Sequence, residues 1–102
     1  MGRNLRLRLR LYGVFRSATH SNEIILEIPE KTGTTVRLAI EELIRREDLQ
    51  DLRGVLISEG SADPRSNALI IVSGREIGSL NGLETELKDN DELALLPVAH
   101  GG

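Results

Sequence analysis

The first pattern along the chain is a strict alternation of apolar and basic residues. Leucine occupies every second position of residues 5–11, and arginine takes the positions between. A period of two is typical of a β-strand with one buried and one exposed face. We extend this predicted strand to Phe15 and expect a turn over residues 17–22. A second alternating segment, residues 23–28, predicts the other arm of a hairpin.

A helical pattern follows Pro29, which ends the second predicted strand. Apolar residues recur there at spacings of three and four, which places them on one stripe of an amphipathic helix. They are Val36, Ala39, Ile40, Leu43 and Ile44. Thr34 or Thr35 is the expected N-cap, and the helix is expected to end near Glu47 or Asp48.

The remaining pattern is less regular, and its segments are short. Ser73 and Gly74 form a predicted turn between two of them. The segments are a short turn or strand at 48–56, a surface loop at 59–67, a strand at 68–72, a short strand at 75–77 and a last strand at 92–96.

Two hairpins around one helix predict an α+β fold. The helix can bury its stripe only if the strands form one sheet across it, and the first and last strands are then parallel neighbours in the middle. This is the β-grasp arrangement, with a mixed four- to five-stranded sheet packed on one main helix. Its open face would carry Arg6, Arg8, Arg10 and Ile25. We assign residues 1–97 to one domain and residues 98–102 to a flexible tail.

Composition limits the chemistry that side chains can carry out. The 102 residues include no cysteine, which excludes disulfides, cysteine nucleophiles and thiolate metal sites. Two histidines, His20 and His100, are too few for a histidine-built metal centre. The sequence has no glycine-rich phosphate loop of the P-loop kind. We therefore expect no catalytic residue, no metal and no bound cofactor, so the chain alone is not an enzyme.

Charge is unevenly distributed. The net charge is −3, yet the first 22 residues hold five arginines and no acid. Arg6, Arg8 and Arg10 are one possible phosphate-binding row, but no aromatic residues are interleaved to stack bases. Glu23 and Glu27 are expected opposite this row as cross-strand partners. We expect no direct contact with nucleic acid, while a protein-docking role of this face stays open.

Location follows from what the sequence lacks. No apolar run is long enough to cross a bilayer. Residues 1–10 carry four arginines and no apolar signal core. We expect a cytoplasmic protein without membrane contact.

The last third of the sequence resembles a known family. Residues 72–75 are similar to a recurrent "VNGR" strand and turn, and residues 87–93 to an acidic turn that enters the last strand, with Asn90 where glycine is usual. A proline and the terminal pair Gly101-Gly102 follow. The chain thereby resembles the small ubiquitin-like sulfur carriers and modifiers. These include the molybdopterin synthase small subunit, the archaeal small modifiers and the ubiquitin-related modifier that serves tRNA thiolation.

The resemblance implies a ubiquitin-like β-grasp fold whose function lies in the C-terminal carboxylate. In the related proteins a partner enzyme uses ATP to adenylate this carboxylate, and sulfur or a thiol then attacks. Gly102 would become a thiocarboxylate that donates sulfur to a molybdopterin precursor or to tRNA, or would form an isopeptide bond with a target lysine. The partners implied are an adenylating enzyme and a sulfur donor or conjugation target. A plain protein-interaction domain with an incidental Gly-Gly tail is the alternative.

The expected site is the tail together with the strand end that bears it. Glycine at both final positions lets the backbone pass a narrow channel and leaves the carbonyl open to attack. The six residues from Pro97 onwards span at most about 20 Å when extended. If Leu93 and Leu95 are in the core, Leu96 is an exposed apolar group, at a position that is a partner contact in the resembling proteins. We assign partner binding to Leu96, Pro97, Val98 and His100.

Self-conjugation has few possible acceptors, because the chain has two lysines, Lys31 and Lys88. Lys88 lies in the acidic turn, whereas Lys31 begins the loop before the predicted helix. We expect Lys31 to be the main acceptor, with the α-amino group of Met1 as a third candidate.

Overall fold

The computed structural model describes residues 4–29, 33–61 and 63–98. The elements of this part follow one another along the chain as strands β1–β5 and helices α1–α3. In order they are β1 (Asn4–Leu11), α1 (Gly13–Thr19), β2 (Glu23–Pro29), α2 (Val36–Arg45), α3 (Gln50–Leu56), β3 (Ala68–Val72), β4 (Arg75–Glu76) and β5 (Glu92–Pro97). Short 3-10 turns at Glu47–Leu49, Pro64–Ser66, Ile77–Ser79 and Gly82–Glu84 connect them.

The five strands of the described residues form one mixed sheet in the order β2-β1-β5-β3-β4. The central pair, β1 and β5, is parallel and brings Arg8 beside Glu92 and Leu11 beside Leu95. Strand β2 runs antiparallel to β1, and β3 runs antiparallel to β5. The predicted β-grasp sheet with its parallel central strands is confirmed.

The core lies between one face of this sheet and the helices. The alternating leucines of β1 are all buried, and so are Leu93 and Leu95 of β5. The stripe of α2 packs against them through Val36, Ala39, Ile40 and Leu43. Full burial of one such leucine contributes about 1.5–3 kcal/mol, which makes the alternation decisive for which face turns inward.

Helix α2 begins at the predicted cap. The Thr35 hydroxyl oxygen accepts a hydrogen bond from the Leu38 amide at 3.4 Å. The helix ends at Arg45, slightly earlier than predicted, because Arg46 adopts an extended backbone. It is the longest of the three helices in the described residues.

Helix α1 shows that the predicted extension of the first strand to Phe15 is wrong. Strand β1 ends at Leu11, and the positive φ of Gly13, 55°, redirects the chain into the helix. Phe15 is fully buried from there, and α1 packs against α3 and β5. His20, with φ 56°, ends the helix in a left-handed conformation, so part of the predicted turn at 17–22 is helical.

Helix α3 corrects the short turn or strand predicted for residues 48–56. A 3-10 turn leads into this helix, and Leu49, Leu52 and Leu56 are buried along it. Their spacings of three and four residues match a helix, not a strand. Two short helices, α1 and α3, thus accompany the main helix α2, and α3 packs against both other helices.

The two predicted tight turns adopt the backbone that their residues favour. Ser73 and Gly74 both have positive φ, as a two-residue hairpin turn requires. Asn90, in the acidic turn before β5, has φ 69°, which asparagine tolerates better than most residues. In this turn the Asp89 carboxylate accepts a hydrogen bond from the Arg6 amide at 2.8 Å, and the Asp91 carboxylate accepts one from the Lys88 amide at 2.8 Å. Asp89 thus holds the turn against β1, while Asp91 closes the turn on itself.

None of the helices in residues 4–29, 33–61 and 63–98 has the length and apolar character that a bilayer crossing requires.

Candidate functional site at the end of β5

The carboxyl end of β5 emerges from the middle of the sheet. Beyond the strand, the Val98 amide donates a hydrogen bond to the Asn67 carbonyl at 3.0 Å, which continues the pairing with β3. Val98 is the last residue described. His100, Gly101, Gly102 and the candidate acceptor Lys31 lie outside the described residues, and their assigned roles stay predictions.

Leu96 lies on the outer face of the sheet, opposite the core. Leu93 and Leu95 point inward and are fully buried, and alternation directs Leu96 the other way. It is half-buried and not exposed as expected, because Leu69 of β3 stands directly across from it. Pro97 and Val98 are exposed beside it.

Four apolar residues form a continuous surface on this outer face, which we call the outer patch. They are Leu69, Ile71, Ala94 and Leu96. The register places Leu69 opposite Leu96 and Ile71 opposite Ala94. Leu69 is 41 % exposed and is the most open member of the outer patch. Leu69 and Val98 also line a groove of about 160 Å³ beside β3.

A second apolar surface comes from the start of α1. The Tyr12 amide donates to the Leu95 carbonyl at 3.2 Å, and Gly13 lies against the ring of Pro97. Tyr12 and Val14, on either side of Gly13, are 41 % and 45 % exposed. Sequence reasoning missed these residues because it placed them in a strand.

Exposed apolar side chains are concentrated around this strand end. Five large ones are exposed in the described residues: Tyr12, Val14, Leu38, Leu69 and Val98. All except Leu38 belong to segments that contact the carboxyl end of β5. Because contiguous exposed apolar surface marks interaction sites, this end of the sheet is the candidate docking surface.

The outer face becomes charged with distance from the tail. The Glu92 carboxylate lies 3.8 Å from the Arg8 guanidinium and 4.0 Å from that of Arg10. The register also places Arg6 opposite Glu27 and Arg10 opposite Glu23, as predicted. The basic row thus has acidic neighbours on both sides. Such exposed pairs contribute little stability, so their main effect is on the potential of this face.

The clear pKa shifts of acidic groups in the described residues belong to two surface ion pairs, and Arg65 of one pair also lines the groove beside β3. Hydrogen bonds from the Arg65 guanidinium hold the pKa of Asp63 below its usual value, and Arg46 lowers the pKa of Asp48 in the same way. In the ranges that the structure covers, no cluster of three His, Cys, Asp or Glu residues could hold a metal ion. The site's distinguishing feature is thus the apolar surface at the end of β5.

A β-grasp sheet whose central last strand leads into Gly-Gly, with apolar surface around its end, defines a ubiquitin-like protein of the carrier or modifier class. The ThiS family matches residues 9–102, and the chain belongs to this family. The family resemblance of the C-terminal motifs is thereby confirmed.

Individual relatives agree with this assignment. Small archaeal modifier protein 3 of Haloferax volcanii is 30 % identical over 98 residues, which cover 96 % of this chain and all of the relative. The solution structure of small archaeal modifier protein 1 from Methanosarcina acetivorans superposes with a TM-score of 0.76 at 28 % identity, covering 99 % of this chain and 100 % of that one. Urm1 from Trypanosoma brucei, at 17 % identity, shares the fold with a TM-score of 0.72 over the whole of both chains.

Proposed function

We propose that this chain is a ubiquitin-like carrier whose Gly102 carboxylate is activated by a separate adenylating enzyme. The observation that carries the proposal is the concentration of exposed apolar side chains where β5 leads toward Gly101-Gly102. The family match, which extends to Gly102, supports it.

The chemistry needs a partner because a carboxylate is a poor electrophile. In the proposed step an oxygen of the Gly102 carboxylate attacks the α-phosphorus of ATP. The bond to the β-phosphate breaks, and pyrophosphate leaves. The resulting acyl adenylate is a mixed anhydride with AMP as its leaving group. ATP is thus the cosubstrate of the partner, and this chain supplies only the carboxylate and the surface that delivers it. We place this ATP-dependent reaction in the cytoplasm.

Two nucleophiles can then complete the reaction at the carbonyl carbon. A hydrosulfide-level sulfur donor forms a C–S bond, expels AMP and leaves a thiocarboxylate, which can pass its sulfur to a tRNA or a molybdopterin precursor. A lysine ε-amine forms a C–N bond, loses a proton and expels AMP, which gives an isopeptide-linked modifier. The ThiS family match supports sulfur carriage, and the modifier relative supports conjugation. Both roles use the same activated Gly102.

Docking places the tail in the partner's active site. We assign the contact to the outer patch with Tyr12 and Val14, and to the tail residues Pro97, Val98 and His100. Glycine at the last two positions suits a narrow channel, since no side chain adds width there.

The test is ATP–pyrophosphate exchange with the adenylating enzyme of the source organism. Exchange should require both proteins and should be lost when Gly101 and Gly102 are deleted. Leu38→Asp, a surface change away from β5, should leave exchange intact. Exchange by the chain alone, or exchange that survives the deletion, would contradict the proposal. If the chain is a plain interaction domain, the deletion should leave its partner binding unchanged.

Mass spectrometry of the protein from its native host then separates the two uses. Sulfur in place of one terminal oxygen indicates carriage. Gly-Gly remnants on lysines of other proteins after digestion indicate conjugation.

A further inference from the structure

We propose that Gly13 sets the direction in which the C-terminal tail leaves β5. The inference rests on the proposed function and deepens it, because it names a positioning residue outside the tail. Gly13 opens helix α1, and its backbone lies against Pro97, the last residue of β5 before the tail.

The contact leaves no room for a side chain. A Cβ atom at Gly13 would lie 2.7 Å from Cγ and 3.2 Å from Cδ of Pro97. Real Cβ atoms do not approach carbon at 2.7 Å, so one of the two segments would have to move. The Pro97 ring cannot swing aside as a free side chain would, because its Cδ is bonded to the backbone nitrogen. A side chain at position 13 therefore pushes the start of α1 and Pro97 apart, and the part of the shift that a change in ring pucker does not absorb falls on the backbone at Pro97.

Neighbouring hydrogen bonds make this displacement consequential. On one side the Tyr12 amide binds the Leu95 carbonyl, and on the other the Val98 amide binds the Asn67 carbonyl at 3.0 Å. Pro97 lies between these two fixed points, paired with Ala68 of β3. A shift of Pro97 away from α1 strains the Val98 bond and turns the tail. Misplacing a reacting group by 1 Å can cost about 100-fold in rate.

Gly60 provides a matched control. Its φ of 80° carries the same kind of backbone penalty for a substituted residue as the 55° of Gly13. Among the described residues, and apart from its two chain neighbours, no atom lies within 4 Å of a Cβ built at Gly60. Gly60→Ala therefore reports the cost of the left-handed backbone alone, whereas Gly13→Ala adds the collision with Pro97.

Pro97→Ala supplies a rescue. It removes Cγ and Cδ, and the remaining Cβ of residue 97 lies 3.9 Å from the added Cβ, which is ordinary contact. The effect of Gly13→Ala should therefore be much smaller when it is made in the Pro97→Ala chain. A double-mutant cycle measures this coupling directly.

The first experiment uses the isolated chain and needs no partner. Hydrogen exchange at the Val98 amide should become at least about tenfold faster in Gly13→Ala than in Gly60→Ala, because the bond to Asn67 is strained. Urea unfolding midpoints of both variants show how much of the faster Val98 exchange comes from a lower global stability. Gly13→Asn is the second variant, because asparagine adopts a left-handed backbone at lower cost but carries the same Cβ.

The second experiment measures steady-state adenylation of each variant by the adenylating enzyme of the source organism. We expect kcat for Gly13→Ala to fall about tenfold to 100-fold relative to Gly60→Ala. KM should rise by less than kcat falls, since the outer patch keeps its place although Tyr12, Val14 and Pro97 flank the substitution. In the Pro97→Ala chain, adding Gly13→Ala should change kcat by less than about threefold.

The outcomes separate this inference from the proposed function. Equal Val98 exchange and equal kcat in Gly13→Ala and Gly60→Ala would overturn the positioning role. An equally large loss with and without the Pro97 ring would overturn it too, since the collision would then not be the cause. If the wild-type chain is never adenylated, the proposed function fails, and Val98 exchange still decides whether Gly13 holds the start of the tail.

Discussion

Replacing Leu69 with aspartate tests whether the outer patch contacts the activating enzyme. Leu69 is 41 % exposed and stands across from Leu96. Full burial of a leucine contributes about 1.5–3 kcal/mol, so covering the exposed part of Leu69 contributes about 1 kcal/mol to binding. Leu69→Ala should therefore weaken binding about fivefold.

Leu69→Asp adds the cost of removing a carboxylate from water. Even a neutral polar group buried without a partner costs about 1–3 kcal/mol by protein measurements, and an ionised carboxylate costs more. With the lost apolar contact the total is at least about 2–4 kcal/mol, which corresponds to an increase in Kd of at least about 30-fold to 1,000-fold. The free chain should stay folded, because the solvent side of Leu69 is already open to water.

Leu38→Asp is the matched control for this change. Leu38 is also 41 % exposed, but it lies on α2, on the opposite side of the sheet. Both substitutions lower the net charge equally. Isothermal titration calorimetry with the adenylating enzyme should show weaker binding for Leu69→Asp alone. Thermal unfolding followed by circular dichroism should give the wild-type midpoint for both variants. Wild-type affinity of the folded Leu69→Asp variant would refute the docking surface. An equal loss in both variants would mean that binding responds to charge and not to the outer patch.

Three further predictions concern the fold. Asn90→Gly should change the free energy of unfolding little, whereas Asn90→Val should lower it by about 1–2 kcal/mol in urea titrations, since φ at this position is 69°; equal stabilities would argue against the left-handed turn. Leu52→Ala should cost about 2–5 kcal/mol because Leu52 is 1 % exposed in α3, and a cost below about 0.5 kcal/mol would contradict its burial in the core. The Arg65 guanidinium lowers the folded-state pKa of Asp63. The pair therefore stabilises the fold at pH values above the unfolded-state pKa of about 3.9. This contribution is lost as the pH falls through the lowered folded-state pKa. Asp63→Asn should accordingly be less stable by under about 1 kcal/mol at neutral pH, with a deficit that shrinks below about pH 4, and a deficit independent of pH would assign it to something other than the carboxylate charge.

The parts of the fold that sequence reasoning predicted share one property. The leucines of β1 and the stripe of α2 repeat with a clear period and are buried on one side only. The sequence pattern therefore identifies both the type of element and its buried face. Helix α3 has only seven residues, and so short a helix is marginal without tertiary packing. Its buried positions Leu49, Leu52 and Leu56 have helical spacing, but Gly54 interrupts the pattern with a poor helix former.

The candidate site was predictable only along its own strand. Alternation from Leu93 and Leu95 places Leu96 on the outer face without knowledge of any neighbour. Leu69 and Ile71 lie in an almost uniformly apolar run, in which no period distinguishes the two faces, so their membership of the outer patch depends on the register with β5. The contact of Gly13 with Pro97 joins residues that are far apart in the sequence, so no local sequence pattern predicts it.

The central position of β5 has a consequence for how the cell makes this protein. Arg8 and Glu92 pair although they are 84 residues apart, and closing a loop of that length costs about 4 kcal/mol of chain entropy before the contacts between the strands form. A copy that ends before β5 leaves β1 and β3 with open edges, which invite aggregation. Such a truncated copy lacks the strand that joins β1 to β3, so it cannot complete the sheet. The same strand that leads into the tail is therefore required for the fold, and a folded chain necessarily contains it.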